Sequence, residues 1–178
     1  MACFDLVPSH SEVLVSARTS LRTVTMTTGD VVGYLDVETT PGGVFLAVTV
    51  PLCRIELPVG SLHSGNPFYD REGRRRFDAA HYPLVAAELV SAIPFGAGLH
   101  RVMWRLTFHG ATHDVNGDLI ARAVDADSIR VDGDNRVDVR DWGIRPGGLL
   151  GIRVNPTARF AVHLLARRRA SPADAADG

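Results

Sequence analysis

Residues 99–112 read LHRVMWRLTFHGAT, and their parity decides the fold class. The even positions Val102, Trp104, Leu106 and Phe108 are apolar, while the odd positions Arg101 and Arg105 are charged. Successive side chains of an extended strand point to opposite faces, so this stretch predicts a strand with one apolar and one charged face. Gly110 then marks a turn, and the alternation resumes at 114–124, as in a hairpin.

The same pattern recurs on both sides of this hairpin. In 84–93, Val85, Ala87, Leu89 and Ile93 oppose Glu88; in 157–167, Ala158, Phe160, Val162 and Leu164 oppose Arg159 and His163. Val13, Val15 and Ala17 share a face of 12–19, and Cys53, Ile55, Leu57 and Val59 share one of 52–59. Further strands are predicted at 31–38, 44–50, 127–132 and 136–141, with turns at Thr28–Asp30, Pro41-Gly42-Gly43, Gly96–Gly98 and Gly133. Pro51 interrupts the ladder and marks an edge or bulge, where a second copy could pair to give a homodimer. Residues 60–82 are polar and do not alternate. Asn66 is placed to cap a helix whose first turn holds Pro67, a short helix or helical turn within 67–80 interrupted near Gly73. The segment 143–156 is rich in Gly and Pro and reads as a long loop. Residues 170–178 (ASPADAADG) lack large apolar side chains and read as a disordered tail after a single domain spanning 1–169. Eight to ten antiparallel strands with one helical excursion predict an all-β sandwich or barrel, and barrel closure removes exposed edges.

Composition narrows the function. The chain has 178 residues and a formal net charge of −1, so no global field attracts nucleic acid or anionic membranes. All basic residues are arginine. No run of about 18 apolar residues predicts a membrane span. The start, MACFDLVPSH, lacks the basic and apolar regions of a secretory signal, and two cysteines are too few for a disulfide framework, so a cytoplasmic protein is expected. No nucleophile elbow, zinc-protease helix or phosphate loop occurs, so no catalytic residue or cofactor is assigned. His63, Asp70 and His81 share a polar segment without specifying a triad. His109 and His113 are four apart but have no third partner at matched spacing, so no metal site is expected.

Four short motifs then fall in a recognisable order. They are Pro8-Ser9-His10-Ser11, Arg76-Phe77-Asp78-x-x-His81-Tyr82-Pro83, Leu106-Thr107-Phe108-His109-Gly110-Ala111-Thr112 and Val139-Arg140-Asp141-Trp142-Gly143. Together they resemble the YceI-like family over about residues 8–167. Trp142 stands where that family usually has Phe, and His113 stands in place of a basic residue. The resemblance implies an antiparallel eight-stranded lipocalin-like barrel that binds a polyisoprenoid or similar amphiphilic lipid, with no metal and no catalytic residues. In such a barrel the inward faces line either a packed core or a tunnel, and the candidate lining residues are Leu89, Val102, Trp104, Leu106, Phe108, Phe160 and Val162. Arg74, Arg75 and Arg76 form either a solvated helix face or a grip for a diphosphate head group. Two further readings stay open: an enzyme of the same fold acting on a small hydrophobic substrate near His81 and Trp142, and an interaction module with a filled interior.

Overall fold

The computed structural model describes residues 2–40, 43–46, 53–148 and 151–170. In chain order these form β1 (Ala2–Leu6), β2 (Glu12–Thr19), β3 (Thr23–Thr28), β4 (Val32–Thr40), β5 (Gly43–Leu46), β6 (Cys53–Pro58), α1 (Pro67–Arg76), β7 (Leu84–Gly96), β8 (Leu99–Phe108), β9 (Ala111–Ala123), β10 (Ser128–Asp138) and β11 (Val154–Arg168). Hydrogen-bonded neighbours run β4-β6-β7-β8-β9-β10-β11, all antiparallel. β1 closes the circuit by pairing with β11 through Phe4↔Arg168 and with β4 through Phe4↔Leu35. The 3-10 turn Pro8–His10 separates β1 from β2, and both lie along the same side of the long β11. β3 in turn flanks β2 and β5 pairs with β4, while the closed circuit β1-β4-β6-β7-β8-β9-β10-β11 is an eight-strand barrel.

The hairpin that fixed the class is present. His109 and Gly110 both have positive φ, 48° and 76°, the geometry of a two-residue turn that matches strand twist. Gly33 is required by a close approach, since a Cβ there would lie 2.0 Å from the Arg54 carbonyl oxygen across the β4–β6 pair.

Several expectations are corrected. β1 and β3 were not among the predicted strands, because each is short and β3 is mostly threonine. Alternation places Ile93 on the inward face, but the β7–β8 register slips between Leu89 and Ser91. This bulge turns Ala92 inward and leaves Ile93 57% exposed. Gly133 is not a turn; it lies inside the continuous β10. The strand expected at 136–141 ends at Asp138 and gives way to a 3-10 turn, Val139–Trp142. Gly73 does not interrupt α1; it lets the helix settle on β3, where a Cβ would meet Met26 Cε at 2.8 Å. The expected strand 44–50 lies only partly within the described residues, and Pro51 and nearly all of the tail fall outside them.

Apolar side chains seal the barrel above and below its middle. At the helical end Trp142 is buried and its Nε1 donates to the Leu106 carbonyl at 3.2 Å, while Phe108 packs edge-on against Phe77 at 5.4 Å. Toward the β7–β8 turn, Ala92, Val102, Ala121 and Ile129 are each buried.

Candidate functional site

Between these two packed layers lies a chamber of about 120 Å³. β6 contributes Cys53, Ile55 and Leu57, β7 contributes Val85, Ala87 and Leu89, and β8 contributes Trp104 and Leu106. β11 adds Phe160, Val162 and Leu164 across the barrel. β9 and β10 complete the wall with Val115, Gly117 and Leu119 and with Val131, Gly133, Asn135 and Val137. Asp118 and Asp134 border the chamber, their carboxylates turned outward to Arg101 and Arg159. An apolar cavity of this order, about 150 Å³ in an engineered case, stays dry and accepts a small apolar guest.

Of the residues expected to line a tunnel, Leu89, Trp104, Leu106, Phe160 and Val162 face this chamber. Val102 and Phe108 point the same way but lie off it, buried in the sealing layers at 1% and 5% exposure. Parity finds the face of a strand but not the height at which the interior is empty. The β9 and β10 contributions were missed because Gly117, Gly133 and Asn135 break the apolar alternation. Glycine inside a strand was the available signal, since it marks space or a close approach.

The wall is not uniform around the chamber. The β9–β10 ladder runs from Ile129↔Ala123 to Asp134↔Asp118 and stops there. Beyond it, β9 pairs only with β8, as far as Ala111, and β10 only with β11, as far as Asp138. The inward-pointing Trp104, Val115, Phe160 and Val162 beside this gap are only half-buried.

The arginine cluster lies elsewhere. A second cavity of about 150 Å³ sits beneath α1, against Val15, Ala17, Met26, Tyr69, Phe77 and Ile144. Through Arg76 and Ile144 it adjoins a polar cleft of about 410 Å³ lined by Arg75, Arg76, Arg145, Asp78 and His109. Arg74 is not part of that cleft. Glu72 accepts from Arg75 Nη2 at 2.8 Å and Arg76 Nε at 2.7 Å, and these guanidinium hydrogen bonds hold its carboxyl below the usual range. Arg76 Nη1 also donates to the Gly147 carbonyl at 2.7 Å. Among the described residues, none lines both this cleft and the barrel chamber.

The titratable groups singled out in the sequence have separate partners. His109 Nδ1 donates to the Trp142 carbonyl at 2.9 Å, and His113 packs edge-on against the Trp142 ring. His81 pairs with Asp78, and Asp70 accepts from Ser64. Among the described residues, no group of three or more His, Cys, Asp or Glu is placed to hold a metal ion. Cys3 and Cys53 are both free thiols. They flank β4 on opposite faces of the wall, Phe4 and Cys53 inward and Cys3 outward. Burial pushes the Cys53 thiol up to about 12; burial, with a hydrogen bond to Asp36, pushes Cys3 up to about 11.

The YceI-like domain model matches residues 4–166. Among solved structures, the chain is similar to BcnA of Burkholderia cenocepacia, with a TM-score of 0.73 at 16% identity over 90% of this chain and 99% of that one. It is similar to a polyisoprenoid binding domain from Saccharophagus degradans implicated in plant cell wall breakdown, with a TM-score of 0.75 at 14% identity over 95% and 100% of the two chains. The Campylobacter jejuni YceI protein superposes with a TM-score of 0.57 at 11% identity, over 78% and 82%. No curated protein sequence matches the chain. At these identities the likeness is one of fold.

Proposed function

The chain belongs to the YceI-like family, and on that premise we propose that it binds part of the hydrocarbon chain of a long isoprenoid or similar amphiphile in the barrel chamber, without catalysing a reaction. The observation that carries this reading is the chamber itself: its wall is apolar on every strand, and among the described residues Asn135 is the one uncharged polar side chain on it. Burial of a chain in such a wall stabilises the complex by about 0.8 kcal/mol per CH₂. An interaction module with a filled interior would not need this space. A hydrolytic or transfer site would need an activated group, whereas the one thiol on the wall, Cys53, has its pKa raised by burial and stays protonated at neutral pH. The Saccharophagus domain of the same fold is described as polyisoprenoid binding, which supports the choice of ligand class.

Trp104 reports on the chamber once Trp142→Phe has removed the other indole. Titration with geranylgeraniol is expected to give a saturating change in Trp104 emission, and geranylgeranyl diphosphate is expected to bind equally well, because the arginine cleft does not open into the chamber. No spectral change with either ligand sinks the reading. A diphosphate bound at least tenfold more tightly would move the head group to Arg75, Arg76 and Arg145 and the chain to the cavity beneath α1.

A further inference from the structure

The chamber is smaller than any long-chain lipid, and both of its ends are packed. A chain that occupies it must pass through the wall, and among the described residues the end of the β9–β10 ladder leaves a seam in it. The seam starts where the β9–β10 ladder ends at Asp118 and Asp134. The next residues on, Gly117 and Asn135, both line the chamber. Here the strands touch through one side chain: a Cβ built on Gly117 would lie 2.9 Å from Asn135 Nδ2 and 3.5 Å from Asn135 Cβ. Past this contact the backbones of 111–117 and 135–138 exchange no ladder hydrogen bond. The far end of the seam is closed by the His113 and Trp142 rings, 5.0 Å apart.

We propose that the ligand passes into and out of the barrel sideways, between β9 and β10, and that the Gly117–Asn135 contact is the latch that parts to admit it. This rests on the lipid-binding reading above. The seam is suited to the task for three reasons. Parting the strands below Asp118 and Asp134 breaks no backbone hydrogen bond of the β9–β10 ladder, whereas parting β6–β7, β7–β8, β8–β9 or β10–β11 would lose ladder bonds, each replaced only by water. Gly117 puts no side chain on the inner face of the seam at the point where the ladder stops. Trp104, Val115, Phe160 and Val162 are inward and apolar yet half-buried there, so this part of the chamber's inner face is the least packed.

The geometry also supplies the test. A Cβ–Cβ separation of 3.5 Å at positions 117 and 135 lies at the short end of the range that a disulfide spans, roughly 3.5–4.5 Å. The pair Gly117→Cys and Asn135→Cys, in the Trp142→Phe background, therefore locks the latch when oxidised and frees it when reduced. The native thiols sit on opposite faces and stay protonated at pH 8, so mild oxidation leaves them alone. Stopped-flow uptake of geranylgeraniol, followed by Trp104 emission, is expected to slow at least tenfold on oxidation and to recover in the same sample on reduction. Ligand loaded before oxidation should leave more slowly by a similar factor. Asn135→Ala, which needs no new bond to fold around, should speed uptake at least threefold. Equal rates in the oxidised and reduced forms overturn the lateral route while leaving the chamber as the binding site. A failure of geranylgeraniol to bind in either form, or in the Asn135→Ala variant, overturns both.

Discussion

Trp104 and Phe108 lie four residues apart on one face of one strand, and the interior treats them differently. Phe108 is 5% exposed and wedged edge-on against Phe77, whereas Trp104 is half-buried on the chamber wall. Removing a packed aromatic costs its transfer energy and the cavity left behind, about 3–5 kcal/mol. Phe108→Ala is expected to lose that much in urea unfolding, because nothing can collapse into the sealing layer. Trp104→Ala should lose distinctly less, about 1–2 kcal/mol, because one side of the indole already faces open space. Equal losses would make Trp104 ordinary core. The sequence placed both residues on the inner face correctly, since parity is a local property. It could not separate them, because which height of the barrel is empty depends on Trp142 and Phe77, which come from distant segments.

At the scale of elements, α1 shows how short-range chemistry and tertiary seating divide the work. Asn66 Oδ1 accepts from the Phe68 N–H at 3.0 Å, and Pro67 occupies the first helical position, so the start of the helix is fixed locally. Two carboxylates reinforce it, one tying the helix to the segment before it and one within the helix. Asp70 accepts from both the Ser64 N–H and hydroxyl at 2.6 Å, and Glu72 holds Arg75 and Arg76. The Ser64 hydroxyl bond keeps the Asp70 carboxyl below its usual range, and the Arg75 and Arg76 bonds do the same for Glu72. A carboxylate whose pKa is lowered by folding adds stability above its unfolded pKa and loses it as pH falls through the folded value. Far-UV circular dichroism between pH 6 and pH 2 should therefore show the protein losing stability below the ordinary carboxylate range. Asp70→Ala should remove about 1 kcal/mol of stability at neutral pH and flatten part of that dependence. An unchanged acid profile in Asp70→Ala would assign the effect to other carboxylates.

At the scale of the whole molecule, closure depends on β1, a five-residue strand that bonds to β4 on one side and β11 on the other. It inserts Phe4, fully buried, and Leu6, 7% exposed, into the core. At about 2–3 kcal/mol for each large apolar side chain, deleting residues 1–7 should cost about 5 kcal/mol. For a chain of this size that lowers the thermal midpoint by roughly 10–20 °C. A midpoint within a few degrees of the full chain would show that the barrel does not need β1. Alternation, turn geometry and capping are settled within a few residues, so the strand class, the hairpin at His109-Gly110, the capped helix and the apolar inner face are legible in the chain alone. Long-range pairing decides which strands close the circle, where the bulge in β7 sends Ile93 outward, and that the arginines serve a cleft apart from the chamber. It alone decides the seam at Gly117 and Asn135. The physical reason is that register, closure and empty space are set by pairings between residues far apart in the chain, and no local pattern encodes where two strands stop bonding.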